Sequence, residues 1–312
     1  MEALKKLNLK AAVAHIGSFL CVILLFSYYK NSQKHAKAQT FRYSIPIPES
    51  VDPPKSTLGG PTCNSEFTTP EQVAGRCQTD PIYAPPRKTY SFNIIYGCLL
   101  FFAITAFAHI FYATDGFGSG NYSQVILEGW NPYRWVEYGI SASVMTVLIA
   151  YSLGIRDSNH LLSLIFINVV MQTMGFIVEN SLIQTQINPT IVKTATFAGW
   201  TLLLGIWIPI IYAFKTVLDD IKNNFEGLTD PSENNQPIKI PSWVWFIIIV
   251  QIINFSSFGV IQYGQVSNAL AGKVVDYSVY ERRYLILSFA GKIGLAAGLA
   301  YGLIFRTRNC TS

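Results

Sequence analysis

Charged residues are scarce in this sequence. They make up 13% of its 312 residues, whereas soluble domains contain about 25%. Hydrophobic residues make up 50% of the chain, and the net charge of +5 is spread over loops and termini. The shortage of charge excludes an ordinary soluble domain, and without a compact basic patch we expect no nucleic-acid partner. The composition predicts a membrane protein.

Cysteines are also few, five in all. Cys63 and Cys77 lie in a segment rich in proline, glycine and threonine. They could form a disulfide if this segment faces an oxidising compartment, or they could remain two free thiols, and the sequence leaves both alternatives open. No metal site is expected.

Seven hydrophobic segments are each long enough to cross about 30 Å of hydrocarbon at 1.5 Å per residue. Because lipid offers the backbone no hydrogen bonds, each segment is predicted to be a helix. The predicted fold is an all-α membrane protein, one seven-transmembrane-helix bundle over 1–312, with a long first extramembrane loop at 30–91. The segments are about 11–29, 92–113, 133–153, 160–183, 195–217, 241–264 and 282–304.

The chain has no room for a separate catalytic domain, so we expect no enzyme activity. No secretory cleavage pattern follows the first segment, which is interpreted as a retained helix. Three lysines before residue 11, together with Arg282 and Arg283, favour a cytoplasmic N-terminus, and Arg306 and Arg308 oppose it. We expect the N-terminus in the cytoplasm, and the C-terminus and long loop outside.

One lysine, Lys292, lies deep in the last hydrophobic segment. A charged side chain at that depth costs about 2.5–3.5 kcal/mol, so a partner carboxylate or covalent use of the amine is needed. Glu137 in the third segment supplies a carboxylate, with Glu179 as the next candidate. A buried lysine and glutamate on two helices are typical of a retinal protein, with Lys292 as the Schiff base and Glu137 as its counterion. Arg134 shares a helix face with Glu137 and could steady it.

The residues after Glu137 bear on ion transport. Light-driven proton pumps carry an acid eleven residues beyond the counterion, where this chain has Leu148. Four residues beyond Glu137 is Ser141. We therefore expect no efficient pumping.

Two histidines lie within predicted helices, His15 in the first and His109 in the second. Each could be a hydrogen-bonded structural residue, or the two together could hold a released proton, since histidine titrates near neutral pH. In the fourth helix, Asn168, Gln172 and Glu179 fall near one face, and interhelical hydrogen bonding is the simpler interpretation of this stripe.

Three stretches resemble one family, the heliorhodopsins. They are Asn131–Met145 (NPYRWVEYGISASVM), Ser257–Tyr263 (SFGVIQY) and Glu281–Lys292 (ERRYLILSFAGK). The likeness extends over all seven helices. The chain departs from the family at Ala290 and Gly291, where bulkier residues are usual, and this affects the shape of the pocket and the colour.

The resemblance implies all-trans retinal bound covalently to Lys292, with Glu137 as counterion and His15 and His109 as proton acceptors. It also implies an inverted orientation with a cytoplasmic N-terminus, and a homodimer formed partly through the fourth and fifth helices and the first loop. Arg134 and Glu179 are supporting residues. The other residues expected near the cofactor are Ser257, Thr105, Ser141, Met145 and Asn168.

Three functions remain open at this point. The first, which we favour, is a light sensor whose photocycle changes shape for a signalling partner. The second is light-gated passive passage of ions, such as protons, along the polar stripes. The third is light-dependent regulation of a bound membrane partner, or a structural role without light.

Overall fold

The computed structural model describes residues 1–35, 94–153, 155, 157–225, 229–230, 236–237 and 242–308. Within these residues there are eight helices and one pair of two-residue strands. The helices are α1 Glu2–His35, α2 Ile94–Ala113, α3 Asn121–Glu128, α4 Pro132–Ser152, α5 Ser158–Leu182, α6 Pro189–Phe225, α7 Ser242–Leu270 and α8 Tyr277–Arg308.

The seven helices of 20 residues or more pack in a ring. Each contacts the next long helix along the chain, and α8 returns to contact α1. The short helix α3 lies in the connection between α2 and α4. Consecutive neighbours are expected where connections are short, and closure of the ring brings polar residues of α1, α2, α4 and α8 towards one interior.

Six of the long helices are apolar enough to cross a membrane. The exception is α4, because it carries buried polar side chains. Arg134, Glu137, Ser141, Ser143 and Thr146 are all buried in its interior face. These buried polar residues lower the mean hydropathy of α4, although they do not face outwards.

Several helices are longer than their hydrophobic segments. The predicted segments 11–29, 195–217 and 282–304 correspond to the longer helices α1, α6 and α8. Hydropathy identifies only the part of a helix that lies within the hydrocarbon. The helix itself can extend beyond that part at either end.

The connection at 218–240 is polar and acidic, a composition that predicts a solvated loop, but its first part is helical. Helix α6 continues to Phe225, and the strands Thr229–Asp230 and Gln236–Pro237 pair antiparallel. Phe41–Ile45 alternates weakly between polar and apolar residues, a pattern compatible with a short strand pair. This stretch lies outside the described residues, as do Cys63 and Cys77.

Glycines allow close contact between neighbouring helices. A Cβ at Gly298 of α8 would lie 2.5 Å from Cγ1 of Ile247 on α7. One at Gly259 of α7 would lie 2.7 Å from Cζ2 of Trp200 on α6. Larger residues at these positions would push the helices apart, so the glycines fix the distances across which interior side chains meet.

The beginnings of α1, α4 and α8 lie at the same end of the ring, which we call the N-terminal end. Lys5 Nζ of α1 lies 2.8 Å from Asp115 Oδ2, just after α2. Asn131 caps α4 by accepting a hydrogen bond from the backbone of Arg134, and its Nδ2 donates to Glu281 of α8. Proline at the first position of α4 costs no hydrogen bond, because that N–H has no helical partner.

The interior towards the other end is mostly apolar. A single cluster of buried hydrophobic residues joins α2, α4, α5, α6, α7 and α8 there. Fully buried members of the cluster include Phe101, Leu148, Ile149, Ile206 and Leu295.

Candidate functional site

Lys292 of α8 and Glu137 of α4 face each other inside the ring. Lys292 Nζ lies 3.1 Å from Glu137 Oε1, and the two residues are 2% and 7% exposed. A buried charge without a partner is strongly destabilising, and an opposite charge at this distance offsets much of that cost. The pair joins α8 and α4, the two helices in which the sequence analysis located the lysine and its partner carboxylate.

Two hydroxyl groups complete the immediate surroundings of this pair. Thr105 Oγ1 donates to Glu137 Oε1 at 2.5 Å, and Lys292 Nζ donates to Ser288 Oγ at 2.7 Å. Ser288 lies one turn before Lys292, so α8 itself supplies this acceptor. The nitrogen of Lys292 is therefore held in one place by one carboxylate and one hydroxyl.

Lys292 also opens onto a mostly apolar cavity between α4, α5, α7 and α8. Its Nζ lies 5.3 Å from the centre of the Tyr138 ring. Most of the wall is aromatic or aliphatic, a typical lining for a small-molecule site. The other lining residues are Trp135, Ser141, Ala142, Met145, Met171, Gln172, Asn254, Phe255, Phe258 and Ser288.

The two helical histidines are in contact on the N-terminal side of the pair. The rings of His15 and His109 are stacked, with centroids 5.3 Å apart and an angle of 10° between their planes. His109 Nδ1 lies 2.9 Å from Asn8 Oδ1. Neither ring nitrogen of His15 has a hydrogen-bond partner within the described part of the chain. His109 is one turn from Thr105 on α2, so the histidines lie next to the group bonded to Glu137.

A second buried charge cluster lies at the N-terminal end. The guanidinium of Arg134 forms ion pairs with Glu179 of α5 and Glu281 of α8, and its central carbon lies 4.0 Å from the centre of the Tyr284 ring. Glu179 also accepts hydrogen bonds from three donors. These are the indole of Trp135, the hydroxyl of Tyr277 and the backbone N–H of Asn131.

This cluster corrects one expectation. Arg134 was expected to steady Glu137, because the two share a face of α4. Its partners are instead Glu179 and Glu281. A long arginine side chain extends towards the helix N-terminus. There the last turns of α5 supply Glu179 and the first turns of α8 supply Glu281. Glu179, the alternative counterion, is bonded to Arg134 in this cluster and makes no contact with Lys292.

The remaining predicted residues divide between the cavity and other places. Ser141 and Met145 line the cavity. Ser257 does not; its hydroxyl donates to the carbonyl of Ile253 on its own helix. Asn168 lies behind α4, where its Nδ2 donates to Ser143 Oγ at 2.9 Å.

Comparison with protein-family models gives a match to the heliorhodopsin model over residues 64–303. This range covers most of the chain and contains the three stretches that carry the resemblance. The chain belongs to the heliorhodopsin family. The comparison with curated proteins finds no match.

The family implies a retinal-binding rhodopsin photoreceptor that crosses the membrane several times. The residues of this heliorhodopsin fit a retinal chromophore. An amine is buried at the wall of an aromatic cavity, and the carboxylate and hydroxyl beside it could balance and hydrogen-bond a cationic nitrogen.

Three polar contacts of the site were not predicted from the sequence of this heliorhodopsin. They are made by Ser288 with Lys292, by Asn8 with His109, and by Glu281 with Arg134. Ser288 lies one turn before Lys292 on the same helix, so helical spacing from the lysine could have found it. Asn8 and Glu281 had no such signal, because their partners belong to other helices.

Proposed function

We propose that this heliorhodopsin is a light sensor that retains its proton and does not pump ions. Lys292 would hold all-trans retinal covalently as a Schiff base, and Glu137 would be the counterion. The observation that carries the proposal is the buried Lys292–Glu137 pair at the wall of an aromatic cavity. Bound retinal would supply light absorption and isomerisation.

The residues around Lys292 have separate tasks in this proposal. Glu137 balances positive charge at the Lys292 nitrogen. The free amine donates to both Glu137 and Ser288, whereas the single N–H of a protonated Schiff base would donate to one of these two acceptors. Thr105 donates to Glu137 and so favours the ionised carboxylate. Tyr138, Phe255 and Phe258 exclude water from the cavity and restrict the space beside the lysine.

The histidine pair is the proposed destination of a proton that leaves the Lys292 nitrogen. His109 lies one turn from Thr105, and His15 stacks on it. The proton would remain within the N-terminal half of the bundle and return to the same nitrogen.

The apolar interior beyond Lys292 supports the absence of pumping. Leu148 of α4 is fully buried in the same cluster as Phe101 and Leu295. An outward path along α4 would therefore pass mostly hydrocarbon side chains, and Leu148 stands where a pump would need an acid. The same packing argues against passive passage of ions.

The arrangement in the membrane is part of the proposal. All seven long helices cross the bilayer, including α4, whose polar residues face the interior. The N-terminus is cytoplasmic, supported by the lysines of α1 together with Arg282 and Arg283 at the N-terminal end. The C-terminus and first loop are then extracellular. The homodimer rests on the family resemblance, and an unidentified signalling partner follows from the proposed sensory function.

An absorption spectrum and a photocurrent recording on the same expressed protein test this function. We expect a visible band after addition of all-trans retinal, and no sustained photocurrent at zero applied voltage. A visible band together with a sustained photocurrent would mean that the protein is an ion transporter and not a sensor. If no visible band formed with the folded protein, retinal binding itself would be excluded.

A further inference from the structure

Asn8 of α1 connects the histidine pair to the short helix α3. It is completely buried. Its side chain makes three hydrogen bonds, to His109 of α2, to the Leu4 carbonyl one turn earlier on α1, and to the hydroxyl of Tyr122 on α3. These contacts restrict which chemical form of His109 can occupy the site.

The orientation of the Asn8 amide is determined by the Leu4 carbonyl. Asn8 Nδ2 lies 3.1 Å from Leu4 O and 3.1 Å from Tyr122 Oη. A carbonyl oxygen can only accept a hydrogen bond, so the amide nitrogen must face it. Turning the amide over would place two oxygens against each other at Leu4. Asn8 Oδ1 therefore faces His109.

The form of His109 follows from that orientation. An amide oxygen can only accept, and His109 Nδ1 lies 2.9 Å from Asn8 Oδ1. Nδ1 must therefore carry a hydrogen, and in a neutral imidazole the other nitrogen, Nε2, then has none. In metal sites and catalytic triads the group bonded to one histidine nitrogen likewise decides what the other nitrogen can do.

We propose that Asn8 is a positioning residue that holds neutral His109 with its hydrogen on Nδ1, so that Nε2 is the nitrogen that takes up the released proton. After uptake, Nδ1–H continues to donate to Asn8, and the bond becomes a stronger, charge-assisted one. Proton uptake thus tightens the contact from α2 through Asn8 to α3 without rearranging it.

The surroundings of His109 agree with this role. His15 stacks on its face, and the Tyr112 ring lies edge-on with centroids 5.7 Å apart. Glu137 and Lys292 are the charged groups that interact with His109 electrostatically. His15 has no comparable anchor, because neither of its nitrogens has a partner within the described residues. Of the two rings, His109 is the one whose hydrogen position is fixed by a neighbour.

The test is nitrogen NMR of the full-length protein in lipid, with retinal added, in the dark. Histidine is labelled with nitrogen-15, and the pH is about 8, above the range in which an unperturbed histidine titrates. The chain has 4 histidines, so the His109→Gln variant assigns the signal. We expect His109 to have its hydrogen on Nδ1. A dark signal with the hydrogen on Nε2 would overturn the proposal without any variant.

Three variants then separate the role of Asn8 from general packing. In Asn8→Ala the acceptor is lost, and a signal with hydrogen on Nε2 should appear. In Tyr122→Phe the Leu4 carbonyl still orients the amide, so the His109 signal should stay as in the unmodified protein. Asn8→Asp keeps an oxygen opposite Nδ1 and should retain Nδ1–H. An unchanged His109 signal in folded Asn8→Ala would contradict the proposal.

The inference rests on the proposed function for its proton-accepting step, and the two can fail separately. The dark tautomer needs no light and tests Asn8 alone. Transient absorption of the His15→Ala and His109→Ala double variant tests whether the histidines take part at all. A correct tautomer with unchanged light-induced kinetics in the double variant would leave Asn8 as an anchor but remove Nε2 as the acceptor.

Discussion

Thr105 and His109 lie one turn apart on the same face of α2 and form hydrogen bonds with two different polar groups. Thr105 donates to Glu137, which pairs with Lys292, while His109 contacts Asn8 of α1. Residues four apart on a helix are neighbours on its surface. One face of α2 therefore links the charged pair in the bundle centre to the N-terminal end.

Lys292→Ala should abolish the visible band that forms with retinal, because no other lysine of the described residues lines this cavity. The control is Lys215→Ala, since Lys215 is exposed on α6, and it should bind retinal as the unmodified protein does. Absorption spectra of both purified variants provide the measurement. A visible band in Lys292→Ala would require a different attachment site.

Glu137→Gln should change the visible spectrum in the dark. The amide cannot balance a positive charge on the Lys292 nitrogen, so the neutral form that absorbs in the ultraviolet gains population and the residual visible band moves. Titration of the spectrum with pH is the measurement.

Two other carboxylate variants serve as references for Glu137→Gln. Glu128→Gln alters an exposed carboxylate of α3 and should leave the spectrum unchanged. In Glu179→Gln the Lys292–Glu137 contact is retained, so the dark band should stay close to that of the unmodified protein. If Glu179→Gln changed the dark spectrum more than Glu137→Gln does, Glu179 and not Glu137 would be the counterion.

Replacing both His15 and His109 by alanine should change the rate at which the Lys292 nitrogen loses or regains its proton after a flash. The dark spectrum should be nearly unchanged, because neither ring contacts Lys292 or Glu137 through a hydrogen bond. Transient absorption measures these rates, and His160→Ala at the start of α5 is the control. Rates equal to those of the unmodified protein would exclude the pair from the proton path.

Arg134→Gln should be strongly destabilising, by about 3–5 kcal/mol, since it leaves two buried carboxylates without their cation. Arg282→Gln is a suitable comparison, because Arg282 is exposed near the start of α8, and its effect should be small. Thermal unfolding of the two variants in detergent measures the difference. Equal midpoints would mean that the Arg134 cluster contributes little to stability.

The contact between Lys5 and Asp115 should depend on pH only in acid. Burial raises the pKa of Asp115, but hydrogen bonds from Lys5 and from the backbone and hydroxyl of Ser123 outweigh it, and the pKa lies below its usual range. A lowered pKa means that the stabilisation is fully present above about pH 3.9, the ordinary aspartate value, and is lost as the pH falls through the lowered value.

Asp115→Asn should therefore unfold at a lower temperature than the unmodified protein by a constant difference between about pH 5 and pH 8, and this difference should shrink in stronger acid. Asp276→Asn is the matched control, because the exposed carboxylate of Asp276 accepts hydrogen bonds from the nearby Ser278. A difference for Asp115→Asn that changes between neutral pH and about pH 5 would show that another group titrates with the contact.

The sequence by itself determined the helical membrane class, the family and the candidate lysine–carboxylate pair. Long apolar runs have one stable form in lipid, and a charged residue within such a run needs a partner, so Lys292 and Glu137 stand out in the sequence alone. Helical spacing also placed Thr105 beside His109 on one face. These are properties of a single helix or of the solvent around it.

Only the tertiary structure decided which helices meet each face. Spacing put Arg134 and Glu137 together, yet Arg134 pairs with Glu179 and Glu281, because the ends of α5 and α8 lie beside its long side chain. Asn8 likewise lies beside His109 only because α1 packs against α2. Periodicity gives the direction and depth of a side chain on its own helix, whereas the partner depends on how the ring of helices closes, which no local pattern records.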